Sequence, residues 1–249
     1  MNTYYRLVFG ILAGVLAGCG GSSSSSSSIP PATQAVKVRY VDGAPELDAL
    51  IDGVPQSLGS NVYLQADSQT VVSLFNYGTM SSFLPIASGT HSLFARNTQG
   101  YFVGPLKTAA LSPGKRYTLV VVGTYPHYQV LTFEEPALSD NAAVSLYEAS
   151  PSVPQTAFGR FKASTGSDFK QLGSAHFGDL STVSLGKSVS DVGGYVGTPS
   201  KPLGKLSPSQ INVFDSTNVL PFQNASRLSL FLFDRESSSA SPVVGSLDQ

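Results

Sequence analysis

The sequence predicts an all-β fold arranged as two tandem domains, and three observations carry that reading. From residue 36 onward the chain consists of short runs of alternating apolar and polar residues, punctuated by Gly, Pro, Asn and Ser. Strands in a sandwich or barrel have this pattern, with one side chain toward a core and the next toward water. No segment after the leader shows a helical period. Finally, four blocks of the first half return in the same order in the second half, as a duplicated unit requires.

The first element is a leader. Arg6 and the free amine give a sparse positive start, "LVFGILAGVL" (Leu7–Leu16) is a ten-residue apolar run, and small residues follow. Together they predict a secretory signal over residues 1–18. An apolar run that short falls below the ~20 residues of a membrane-spanning helix. "LAGC" (Leu16–Cys19) resembles the bacterial lipobox, and the resemblance implies that Cys19 is acylated and becomes the first residue of the processed chain. Two or more acyl chains anchor stably, at about 0.8 kcal/mol per buried CH₂. Gly20 stands where an aspartate would retain such a protein at the inner membrane, which favours the outer membrane in a Gram-negative host. Cys19 is the only cysteine, so the sequence offers no internal disulfide and no cysteine metal site. Ser22 to Ser28, with two glycines before and Ile29-Pro30-Pro31 after, cannot bury apolar surface. Residues 19–35 therefore read as the lipidated cysteine and a flexible tether.

The first domain, residues 36–136, has predicted strands at Val36–Val41, Leu47–Asp52, Asn61–Ala66, Thr70–Phe75, Ser81–Ile86, His91–Arg96, Tyr117–Gly123 and Tyr128–Glu134. A second, divergent domain follows at 142–236. "VRYVDGAP" (Val38–Pro45) aligns with "VSLYEASP" (Val144–Pro151), and "NYGTMSSF" (Asn76–Phe83) with "HFGDLSTV" (His176–Val183). "LSPG" (Leu111–Gly114) aligns with "LSPS" (Leu206–Ser209), and "VLTFEE" (Val130–Glu135) with "LFLFDR" (Leu230–Arg235). Residues 237–249, rich in serine, read as an unstructured tail.

The same blocks resemble the bacterial domain-of-unknown-function 4397 family. The resemblance lies in "VRYVDGAPELDALIDG" (Val38–Gly53), "YGTMSSFLPIASGTHSL" (Tyr77–Leu93) and "LSPGKRYTLVVVGT" (Leu111–Thr124). It is close over 36–136 and loose over 142–236, where the "DG" hairpin is lost and the "GKxYT" strand is faint. It implies an Ig-like fold in an extracytoplasmic, often lipid-anchored and tandem protein, and it implies no activity. Asp42-Gly43 stand where members often carry a His before the small residue of the turn.

The residues support little chemistry. Charged residues make up 12% of the chain and the net charge is −1, so there is no electrostatic footprint for nucleic acid. No G-x-S-x-G elbow is present, and His91, His127 and His176 fall in separate segments. Gly186-Lys187-Ser188 lacks the upstream glycine of a P-loop, Ser181 standing in its place. Asp42, Glu46, Asp48 and Asp52 are hard oxygen donors close in sequence, the type that binds Ca²⁺. Yet Asp-Gly at 42–43 and 52–53 is what tight turns demand, and turn chemistry is the preferred reading. Tyr77-Gly78 and Phe177-Gly178 read either as a ligand platform or, preferably, as core aromatics followed by a glycine that permits a bend. With no tryptophan, sugar stacking would rest on tyrosines such as Tyr101, Tyr125 and Tyr128.

These readings predict no catalytic residue and no cofactor. They describe a cell-envelope protein held to a membrane through Cys19, at the outer membrane in a Gram-negative host. It would bind an envelope protein or glycan, or fill a structural role, as a non-enzymatic module. The alternative is a surface carbohydrate-binding module; a hydrolase has no motif behind it.

Overall fold

The structure, a computed structural model, describes residues 35–137, 140–187, 191–207, 210, 212–213, 227–234 and 242–248. The expected signal over residues 1–18, Cys19 and the serine tract lie outside them. Apart from a 3₁₀ position at Gln210, all regular structure in the described residues is β. Strand β1 (Ala35–Asp42) pairs parallel with β9 (Arg116–Thr124) and antiparallel with β6 (Leu84–Ala87), while β9 pairs antiparallel with β10 (His127–Glu134). The sheet order is β10-β9-β1-β6. A parallel pair with both faces covered is a continuous apolar run, and Leu119–Val122 ("LVVV") is buried residue by residue.

The second half repeats this sheet. Strand β11 (Ala142–Glu148) lies parallel to β18 (Arg227–Leu232) and antiparallel to β14 (Leu180–Gly186), and β18 pairs antiparallel with β19 (Val243–Asp248). A short β17 (Asn212–Val213) adds to the far edge of β19. Val38 opposes Tyr117 in the first half and Val144 opposes Leu228 in the second. "RYTLVVV" (Arg116–Val122) therefore corresponds to "RLSLFLF" (Arg227–Phe233), which is the strand that looked faint in the sequence.

Two expectations are corrected. Val130–Glu135 does not correspond to Leu230–Arg235, because the first block lies in β10 and the second begins in β18, the counterpart of β9. Short apolar runs of similar content cannot distinguish neighbouring strands of one sheet. Nor is 237–249 an unstructured tail throughout: Val243–Asp248 is β19, fully paired along β18, and the second unit extends past residue 236.

A second sheet covers each of these. In the first half, β4 (Tyr63–Ala66), β5 (Gln69–Val72), β7 (Ser92–Arg96) and β8 (Phe102–Lys107) form the order β5-β4-β7-β8. Beside it stands a hairpin of β2 (Asp48–Ile51) and β3 (Val54–Ser57). In the second half, β12 (Gln155–Lys162), β13 (Ser167–His176), β15 (Val192–Thr198) and β16 (Lys201–Leu206) form the order β13-β12-β15-β16. Val36, Val38, Tyr40 and Leu119 meet Leu64, Leu93 and Ala95 in the first core. Val144, Leu146, Leu228 and Leu230 meet Phe158, Val192 and Val196 in the second.

A third core joins the halves. Val41, Val120, Val122 and Phe133, on the opposite face of the first sheet, pack against Tyr147, Ala149, Phe231 and Phe233 of the second. Tyr147 stacks on Phe231 at 4.2 Å between centroids and meets Phe133 edge-on at 5.3 Å. The four main sheets thus form a stack, with the two repeated sheets in its middle. Gly43 is tight here: a Cβ on it would lie 2.4 Å from the Phe233 ring. Gly43→Ala is expected to cost about 1–3 kcal/mol by overpacking, measured by urea unfolding.

At the end of this layer near Ala35 the contact turns ionic. Arg39, wholly buried, donates from Nη1 to Asp248 and Ser246, both at 2.7 Å, and from Nε to Thr118 at 3.1 Å. Its Nη2 lies 3.4 Å from Glu135. Arg227 donates to Asp248 at 3.0 Å and also pairs with Glu135. The Tyr147 hydroxyl donates to the Glu135 carboxylate, 2.8 Å from each oxygen. Burial works against charge on Asp248, but Arg39 and Arg227 overcome it and hold its carboxyl below the usual range. Two cations and two anions close a neutral cluster, which suits a buried site.

Candidate functional site

Strand β1 runs from Ala35 to Asp42, and at its Asp42 end the first half opens into a cleft of about 330 Å³. Leu47, Val62 and Phe75 give it apolar walls, while Asp42, Glu46, Ser57, Ser60, Asn76 and Tyr77 supply oxygens and an amide. Asp42 is buried and its Oδ1 accepts the Ala44 N–H at 3.0 Å, which fixes the turn out of β1. Its main chain is gripped by the next corner: the Asp42 N–H donates to the Thr79 carbonyl and the Gly78 N–H to the Asp42 carbonyl. Gly78 has φ +78° and makes the bend that turns Tyr77 toward the second half. Phe177-Gly178 does the same at Glu148, with Gly178 at φ +87° and the matching pair of bonds. Both aromatic–glycine pairs thus pack between the halves and bend the chain, and Tyr77 also lines the cleft.

Tyr128 was a candidate for sugar stacking, and the structure gives it another task. Its hydroxyl donates to the Glu46 carbonyl at 2.8 Å and accepts the Asp48 N–H at 3.0 Å, pinning the rim of the cleft. Nothing in its sequence neighbourhood marks this role, since its partners lie some eighty positions away. Tyr101 is exposed and Tyr125 half-buried, neither of them in the cleft wall.

The acidic candidates separate. Asp42 and Glu46 line the cleft, whereas Asp52 (φ 49°) and Gly53 (φ 81°) form the β2–β3 turn in the conformation that favours Asp-Gly. Partial burial, and then the Glu46 charge, raise the Asp48 carboxyl above its ordinary value. Among the described residues no three of His, Cys, Asp or Glu gather as a metal-holding group.

The histidines stay apart as well. His91 is buried with Nδ1 2.5 Å from Asp67 and Nε2 2.9 Å from the Ala87 carbonyl, leaving neither ring nitrogen for a substrate. Burial opposes it, yet the Ser92 N–H and His91 hold the Asp67 carboxyl below its ordinary value. His127 is exposed at the start of β10, and His176 pairs loosely with Asp179 at 3.5 Å on an exposed turn.

In the second half the corresponding corner is built around Glu148. Glu148, the counterpart of Asp42, is fully buried, and its Oε1 accepts the Ser150 N–H at 3.1 Å. Oε2 has no hydrogen-bond partner. Asp234, just beyond β18, takes hydrogen bonds from the hydroxyls of Ser150 and Ser152. Its carbonyl accepts the Tyr77 hydroxyl at 2.5 Å, a bond between the halves. Burial first, and then the nearby Asp234 charge, push the Glu148 carboxyl up to about 8.

No curated protein matches the sequence. Among solved structures, the crystal structure of a "putative cell adhesion protein" from Bacteroides uniformis ATCC 8492 is similar over 88% of this chain and 99% of that chain. Its identity is 8% and its TM-score 0.28, a likeness too low to carry any argument. A family model matches residues 49–157, from β2 into β12, and over that stretch the chain is similar to the domain of unknown function DUF4397.

Proposed function

We propose that this chain is a lipid-anchored protein of the bacterial cell envelope, exported by residues 1–18 and held at Cys19. Its two Ig-like sandwiches act as a non-enzymatic binding module, and the cleft of the first is the binding site. One observation carries the placement of the site. The cleft opens where β1 ends at Asp42, about 23 Å along the strand from Ala35, where the tether joins. The cleft thus lies at the end of β1 remote from the attachment point. The donors and acceptors around an apolar floor suit a protein or glycan segment.

Two measurements test this. Palmitate labelling of the full-length chain in its host is expected to vanish in Cys19→Ser, and unchanged labelling would overturn the anchor. Ser60→Trp fills the cleft from an exposed wall position. Partners captured from intact envelopes by the unaltered protein are expected to be lost with this variant. Capture of the same set would remove the cleft as the site.

A further inference from the structure

We infer that Glu148 is a proton-controlled clasp, which holds the two halves together beside the cleft while it is protonated and loosens them when it ionises. The geometry sets this up. Glu148 closes β11 with its side chain fully buried and one carboxylate oxygen unpartnered. Among the described residues no charged group pairs with a negative charge there. On β18 and its end the near charge is Asp234, itself an anion. The β13–β14 turn carries His176 and Asp179, exposed and paired with each other. The facing strands carry Arg160, Lys162, Asp168 and Lys170, none of which pairs with Glu148. From the first half comes Tyr77, whose hydroxyl is directed to the Asp234 carbonyl. A neutral carboxyl is tolerated in such a place, whereas a carboxylate must find water.

Water can reach it only by opening the corner. Glu148 is tied through Ser150 to Asp234, and Asp234 holds Tyr77 across the interface. The next residue, Ala149, packs in the core between the halves. Ionisation of Glu148 therefore acts on the Ser150–Asp234 brace and on Tyr77, which also lines the cleft. The inference does not depend on what the cleft binds, because the clasp is read in the protein alone. The sign follows from the raised value of about 8. Stability from the neutral carboxyl is complete below the ordinary glutamate value and is lost as pH rises through about 8.

Hydrogen exchange by mass spectrometry on the full chain tests the clasp, with rates corrected for the intrinsic pH dependence of exchange. Protection of residues 77–79 and 149–152 is expected to fall about tenfold per pH unit between pH 6 and 8. In Glu148→Gln it is expected to be flat. Equal pH dependence in both proteins, or none in the unaltered protein, would overturn the clasp. Should Glu148→Gln fail to fold, Tyr77→Phe decides. Its loss of the hydroxyl is expected to uncouple 77–79 from pH while 149–152 still responds. A response at 77–79 unchanged by Tyr77→Phe would overturn the link across the halves.

Discussion

Arg39→Met is expected to destabilise the protein by about 3–5 kcal/mol, the usual effect of removing one partner from a buried ion cluster. The substitution keeps the bulk of the side chain but strips Asp248 and Ser246 of their 2.7 Å donor and Thr118 of one of its two partners. What remains is one cation, Arg227, against two buried carboxylates, Glu135 and Asp248. Acid sensitivity is expected to change as well. In the unaltered protein the Asp248 carboxyl is held low, so its contribution is present above the ordinary aspartate value and lost as pH falls through its depressed one. Without Arg39 that loss is expected at higher pH. Circular dichroism followed against urea and against pH reads both effects. The double variant Arg39→Met/Asp248→Asn is expected to recover part of the stability, because one cation, Arg227, then faces one anion, Glu135. Full additivity of the two changes would show that the pair is not coupled.

Deleting residues 242–249 is expected to have a larger effect, removing most of the roughly 5–15 kcal/mol typical of a folded domain. Strand β19 pairs with β18 from Arg227 to Leu232, buries Val243 and Leu247, and carries the acid that both arginines require. Its loss turns β18 from an inner strand into an edge and leaves Leu228, Leu230 and Leu232 without their cover. The shortened chain is expected to be insoluble, or to lose near-ultraviolet tyrosine dichroism and bind a hydrophobic dye. A soluble protein with an unchanged unfolding curve would contradict this account of the strand.

Much of the architecture is legible in the residues. Alternation at Val36, Val38 and Tyr40 places one face of β1 in a core, and the "DG" at 52–53 places a hairpin turn. The corner repeats at Asp42 and Glu148 follow from two aligned blocks with a glycine in each. What escapes is anything that needs a partner far along the chain. "VVGSLD" (Val243–Asp248) is too short and too plain to read as a strand after a serine-rich run, and only its pairing with β18 makes it one. Arg39 occupies an outward position by alternation alone, so it reads as solvated, yet the second half covers that face. "LVVV" and "LFLF" do hint at this, since strands with one wet face would alternate there. Of the cleft, Asp42 and Glu46 were visible as acids, while Tyr128 was visible only as an aromatic and its work as a brace was not.

The position of β1 has a mechanical consequence. It is the first described strand and an inner one, bonded to β9 from Lys37 to Asp42 on one side and to β6 from Ala35 to Val38 on the other. A pull applied at Ala35 along the strand loads these two ladders in parallel, so several hydrogen bonds must fail at once instead of opening one after another. Under such a pull the sheet is loaded in shear, the direction in which it resists best.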